Sequence, residues 1–204
     1  GATESNNIAI LGLAKHGDET GRKHIITSQI EHKAVLEPVE RLEAEGFDCE
    51  FLPCNGDGYV EAEAVRTALR PDTLLVSIMH ANNETGILQP IKEIGETLSD
   101  HECYFHVDAA QTFGKEIDAL TDPRIDLISI SGHKIYAPKG IGALITKRRK
   151  YKTPPLEPLA VGGGQESGLR PGTLPVPLIV GLGVASRLAL ENHQARRQVC
   201  AEFK

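Results

Sequence analysis

The chain has no tryptophan, and aromatic residues make up only 4% of its 204 positions. Flat ring surfaces on which single-stranded nucleic acid could stack are therefore scarce. An excess of basic charge is also missing. Twenty-two Lys and Arg against 28 Asp and Glu leave a net charge of −6, which argues against a nucleic-acid partner. No apolar run approaches the roughly 20 residues needed to cross a bilayer, so no membrane association is expected, and no segment reads as a signal peptide. The four cysteines (Cys49, Cys54, Cys103 and Cys200) lack metal-ligand spacing. No metal site is expected, and the thiols read as reduced, as in a cytoplasmic protein. No internal repeat is present.

What the chain does have is alternation. Short apolar runs at residues 24–28, 47–52, 73–78, 103–107, 126–130 and 141–146 read as strands, and most are separated by helical stretches. This order predicts an α/β fold, with a mostly parallel (mixed) sheet covered by helices on both faces. Residues 1–16 read as a loop entering a buried helix, with Thr3 or Ser5 as its N-cap. A second helix begins near His32 and stops at Gly46, and Pro38 suggests that its regular part starts late or kinks. The basic run at residues 147–152 reads as a solvated loop, and the proline-rich stretch after it as a stiff connector. A long helix is expected from Val176 onward.

Two strands end in ionisable residues. The run 103–107 stops at Asp108, and the run 126–130 leads through Ser131-Gly132-His133 to Lys134. Open α/β sheets bind ligands at the carboxyl ends of their strands. Parallel neighbours would place this acid and this amine on one sheet edge, an arrangement that suits pyridoxal 5′-phosphate: the lysine forms the Schiff base, and the acid keeps the pyridine nitrogen protonated. Solvated surface is the ordinary reading of a lone Lys and a lone Asp, and the surrounding residues reverse it. A helix N-terminus, as expected within residues 1–16, offers unpaired N–H groups to a phosphate.

Those surroundings carry a family resemblance. The segment 131–144 (SGHKIYAPKGIGAL) resembles the lysine segment of class V aminotransferase-fold enzymes, and more narrowly of the cysteine desulfurases. Five further blocks follow the same family pattern: GATESNN from Gly1, EHKAVL from Glu31, HANNETG from His80, HVDAAQ from His106, and GGGQE with RPGTLP around Gly162 and Arg170. The resemblance implies the large domain of a fold type I pyridoxal-phosphate enzyme over residues 1–175, cut at its N-terminus. Residues 176–204 would begin the helix leading to a small domain that is absent.

The resemblance also implies roles. Lys134, His32 and Asp108 would be catalytic. Ala2 and Thr3 would hold the phosphate, with Ser131 and His133 as further cofactor contacts. His32 would stack on the ring, Asn83 would face it, and Gln111 would bond the phenolic oxygen. Thr173 would reach the phosphate of the second subunit of a homodimer. The implied reaction converts L-cysteine to L-alanine and passes sulfur to an enzyme cysteine, as in sulfur supply for iron–sulfur clusters or tRNA thiolation, and then to a sulfur-acceptor protein. The proton at the α-carbon would go to Lys134 or to His32. Cys49, Cys54, Cys103 and Cys200 do not match the family's nucleophile loop, which is expected beyond Lys204, so the fragment alone would be inactive. Another class V enzyme, such as a selenocysteine lyase or aminotransferase, and a non-catalytic assembly module remain as alternatives.

Overall fold

The structure is a computed structural model that describes residues 1–149 and 151–203. In chain order the elements are α1 (Ala2–Leu11), α2 (Ala14–Thr20), β1 (His24–Ser28), α3 (Lys33–Ala44), β2 (Asp48–Leu52), α4 (Ala62–Ala68), β3 (Thr73–Met79), α5 (Ile91–Thr97), β4 (Tyr104–Asp108), β5 (Leu127–Ser131), β6 (Gly142–Thr146) and α6 (Val176–Glu202). The described strands form one sheet in the order β2-β1-β3-β4-β5-β6. All neighbours are parallel except β5 and β6, which are antiparallel. The expected mixed α/β sheet is therefore present. No helix among the described residues is long and apolar enough to cross a membrane.

Strand periodicity builds two cores. One face of the sheet presents Ile26, Val76, Ile78, Phe105, Val107 and Ile130, and these pack with Val65 of α4 and with Ile91 and Ile94 of α5. The other presents Ile25, Leu75 and Leu127 to Ile10 of α1 and to Val35, Val39 and Leu42 of α3. Both faces of the central strands are buried, which accounts for their near-continuous apolar runs. Edge strand β2 alternates between exposed and more buried positions, as its sequence pattern predicts.

Several local expectations are corrected. Helix α1 begins at Ala2 with Gly1 as N-cap, and no side chain caps it. Thr3 and Ser5 lie inside the first turns, and the Ser5 hydroxyl donates to the Gly1 carbonyl at 3.4 Å. Helix α3 starts directly after His32 and runs through Pro38, which is buried against the core. Packing of the α3 apolar face outweighs the backbone bond that proline lacks.

The basic run is not simply a solvated loop. Arg149 folds back onto the buried Asp126 carboxylate, which also takes a bond from Arg124 at 2.9 Å and one from the Phe105 amide at 2.7 Å. Both arginines donate to the Cys103 carbonyl as well. Lys147 donates to the Pro123 carbonyl, and Lys150 lies outside the described residues. This cluster ties β4, β5 and the chain after β6 together at the sheet end remote from Asp108. Replacing Asp126 with Ala leaves two arginines facing a vacated buried site, so Asp126→Ala is expected to lower unfolding free energy by about 3 kcal/mol. Urea denaturation followed by circular dichroism measures this. A change below about 0.5 kcal/mol, the usual range for a surface substitution, would mean that the cluster is not structural.

Candidate active site

The sheet's carboxyl edge opens into a cavity of about 480 Å³. Helix α1 roofs one side, and its first residues, Gly1, Ala2 and Thr3, line the cavity. Its close approach depends on glycine. A Cβ on Gly142 of β6 would sit 2.7 Å from the Gly1 Cα and 2.5 Å from the Ile130 carbonyl oxygen. The N-terminus of a ten-residue helix, with its unpaired amides, therefore faces the pocket.

Parallel pairing brings the acid and the amine together as expected. β4 and β5 are adjacent, with Asp108 in register with Ser129 and also with Met79 of β3. Asp108 and Lys134 line the same cavity. Lys134 sits in a tight turn over Gly132–Ile135 at the end of β5, closed by the Ala137 amide donating to the Gly132 carbonyl at 3.0 Å. Tyr136 then takes a left-handed conformation, φ 67°, that sends the chain back along β6. A non-glycine residue held there is a small strain of the sort that tight functional turns carry. A Cβ on Gly132 would lie 2.8 Å from the Ile141 side chain, so this turn has no room for a larger residue.

Asp108 is only 5% exposed. Its Oδ1 accepts from the Ala110 amide at 2.9 Å, and its Oδ2 from Asn6 Nδ2 at 2.7 Å. Among the described residues no arginine or lysine ion-pairs with it. Burial pushes its pKa up, while the two hydrogen bonds and nearby His32 oppose that shift. Asn6 is fully buried and lines the cavity, and its own Oδ1 has no hydrogen-bond partner. Sequence reasoning missed Asn6, because an asparagine on an apolar helix carries no motif of its own. Its position one helical turn after the amides of Ala2 and Thr3 was the available signal.

The remaining expected residues divide. His32, Asn83, Gln111, Ser131 and His133 all line the cavity. The His32 side chain caps α3: its Nδ1 accepts from the Ala34 amide at 3.0 Å, so the neutral ring carries its proton on Nε2. Asn82, rather than Asn83, builds the turn, accepting from the Glu84 and Thr85 amides, and this leaves Asn83 facing the cavity. Ser131 Oγ and His133 Nδ1 share a 2.9 Å bond. Thr173 is exposed and does not line this cavity. Its loop is instead joined to α1 by an exposed ion pair, Arg170 to Glu4 at 2.7 Å.

The thiols are not part of the cavity lining. Burial pushes Cys49 up to about 12 and Cys103 up to about 11, as befits structural positions. Cys54 is also raised, by burial and by nearby Glu31. Exposed Cys200 lines a second groove beside α6, which adjoins the cavity and shares Asn83, Gln111 and Lys134 with it. None of the four lines the cavity holding Asp108.

Comparison with known proteins gives consistent relatives. The family described as Aminotransferase class-V matches residues 1–200. A human protein named cysteine desulfurase is 52% identical over 192 residues, covering 94% of this chain and 41% of its own length. The crystal structure of DndA from Streptomyces lividans superposes with a TM-score of 0.93 at 58% identity, covering 96% of this chain and 55% of that one. A structure described as SspA in complex with cysteine gives 0.83 at 50% identity, covering 92% of this chain and 53% of that one. The chain thus spans about half, or less, of the length of the relatives it matches.

The Asn6 contact generates a prediction. Removing one of two donors from a buried carboxylate costs about 1–3 kcal/mol in its ionised form. Asn6→Ala is expected to move the ionisation of Asp108 to higher pH. A carboxyl-carbon NMR titration of the two proteins reads this directly, and superimposed titration curves would mean that Asn6 does not hold the charge.

Proposed function

This chain belongs to the aminotransferase class-V family, and from that premise we propose that it is the cofactor-holding part of a pyridoxal-phosphate-dependent cysteine desulfurase. Enzymes of this family use pyridoxal 5′-phosphate. The observation that carries the reading is the cavity in which Asp108, Lys134 and the N-terminus of α1 meet. The site fits the cofactor chemically. Asp108 is a buried carboxylate with amide donors and no cation among the described residues, so a protonated pyridine nitrogen would supply the missing counter-charge. A phosphate would find the amides of Ala2 and Thr3, with the Ser131 hydroxyl and His133 nearby.

When bound, the cofactor supplies an electron sink for the substrate's α-carbon. The protein's share is positional. Asp108 would hold the ring nitrogen's proton, and Asn6 and the Ala110 amide hold Asp108. Lys134, lining the cavity with Asp108, would be the amine that holds the cofactor's aldehyde and the base for the α-proton. His32 is poorly placed for that step, because its Nδ1 lone pair is engaged by the Ala34 amide and its Nε2 carries the proton. It serves as a donor and as a wall against the ring. Gln111 and Asn83 face the same space.

The proposed substrate is L-cysteine. The cavity lining contains no cysteine, which supports a persulfide-forming thiol outside residues 1–204. Residues 1–175 act as the large domain. Homodimerisation is part of the proposal: Thr173 lies outside its own cavity on an exposed loop, which supports its reaching the phosphate of a second copy. The acceptor of the sulfur is a further protein.

The test is spectroscopic. Incubated with pyridoxal phosphate, the chain is expected to gain a visible absorbance band that borohydride bleaches, and Lys134→Ala is expected to lack it. A chain that stays colourless would defeat the cofactor assignment. The full-length polypeptide is expected to release alanine and, with a reductant, sulfide from L-cysteine. Turnover of selenocysteine or of a keto acid without sulfide release from cysteine would move the protein to another activity of the family.

A further inference from the structure

One buried ionisable group beside the cavity has no part in the chemistry above. Glu31 lies at the carboxyl end of β1, one residue before His32, and is only 5% exposed. Its Oε1 accepts two bonds, from the Ser28 hydroxyl at 2.7 Å and from the Met79 amide at 2.8 Å. Its Oε2 is buried with no hydrogen-bond partner. Met79 is the last residue of β3 and the register mate of Asp108. The side chain therefore spans from the loop carrying His32 to the strand end beside Asp108.

We propose that Glu31 is a positioning residue that works as the neutral acid, a strut fixing the His32 loop against the end of β3 next to Asp108. Two features of the geometry require the neutral form. A buried carboxylate oxygen without a donor is far more costly than a buried hydroxyl without an acceptor. A second negative charge would also stand near the buried Asp108 carboxylate. The titratable groups around Glu31 are Asp108 at the end of β4, the Cys54 thiol on the loop after β2, and adjoining His32. No cation among the described residues ion-pairs with it. Burial, reinforced by Asp108, raises the Glu31 pKa to about 8, against the lowering effect of the Met79 and Ser28 bonds. Two neighbouring carboxyl groups are thereby separated into an acid that keeps its proton and an anion that faces the ligand.

The use of this strut for cofactor binding rests on the function proposed above, whereas the protonation state of Glu31 does not, and the experiment separates the two. Thermal melts of the cofactor-free chain and of Glu31→Gln are recorded from pH 5 to pH 9. A raised folded-state pKa stabilises the protein fully below about 4.5, and that contribution is lost as pH rises toward about 8. Glu31→Gln, which cannot lose a proton there, is expected to gain stability relative to the parent as pH rises from 5 to 8 and to hold that gain above 8. A difference that is flat, or that shrinks with pH, would overturn the neutral-acid assignment.

In the second arm, pyridoxal-phosphate uptake is titrated by absorbance at pH 7. Glu31→Gln keeps both acceptor bonds and is expected to bind within about threefold of the parent, while Glu31→Ala, which orphans the Met79 amide, weakens binding by about tenfold or more. Equal weakening by Gln and Ala, or none by either, would overturn the positioning role. A parent chain that takes up no cofactor would defeat the function proposed above, while the melts would still decide the state of Glu31.

Discussion

A carboxylate buried at the end of a central parallel strand, with amides around it and no cation among the described residues, is the constraint on which this site depends. Burying such a group is unfavourable unless hydrogen bonds and a counter-charge compensate. Asn6 and the Ala110 amide provide the first. In the proposed function a cationic ring nitrogen would supply the second. The neighbouring elements converge on this acid: α1 brings Asn6 to Asp108 and its own N-terminus to the cavity, and the turn after β5 brings Lys134.

The floor behind Asp108 is itself polar and tightly bonded. Thr27 of β1 donates to the Ser77 carbonyl at 2.9 Å, Ser77 Oγ bonds His106 Nδ1 at 2.8 Å, and His106 Nε2 bonds Ser129 Oγ at 2.9 Å. This row crosses β1, β3, β4 and β5 on the face that carries Asp108, one pleat before it. Burial pushes the His106 ring down to about 3, so it stays neutral, with one nitrogen donating and the other accepting. A purely apolar row would fill the same space, but it would not lock the strand ends in register against slippage. A satisfied network does so without placing charge beneath the acid.

Much of this was legible from residue order alone, because strand ends are punctuated. Alternation of apolar runs and helical stretches fixed the sheet class, and the stops at Asp108 and Gly132 marked the edge on which acid and amine meet. Less visible were interactions whose partners are far apart in sequence. Asn6 to Asp108 spans 102 residues and Arg149 to Asp126 spans 23. Neither pairing follows from the local pattern, so an apolar helix hid one and a basic run disguised the other. Thr3 and Ser5 looked like caps because cap propensity is local, yet the packing of α1 against β6 sets the helix start one residue after Gly1. Glu31 was read only as part of a motif, since nothing in its neighbours reveals that it turns inward.

The thiols complete the argument from the opposite direction. A sulfur nucleophile must be a thiolate, and low dielectric opposes that state as it opposes any unpaired charge. Cys49 packs against one core with no donor to its sulfur among the described residues, and at Cys103 burial outweighs the nearby arginines, so both remain protonated thiols. Cys54 is nearer the active edge, but it faces the buried acid Glu31 rather than a cation. In the proposed reaction a thiol therefore needs surroundings that the two sheet cores do not offer. Division of labour follows within that proposal: the sheet edge would fix the acid and the amine, and a thiol with water or a cation around it would come from a more exposed segment.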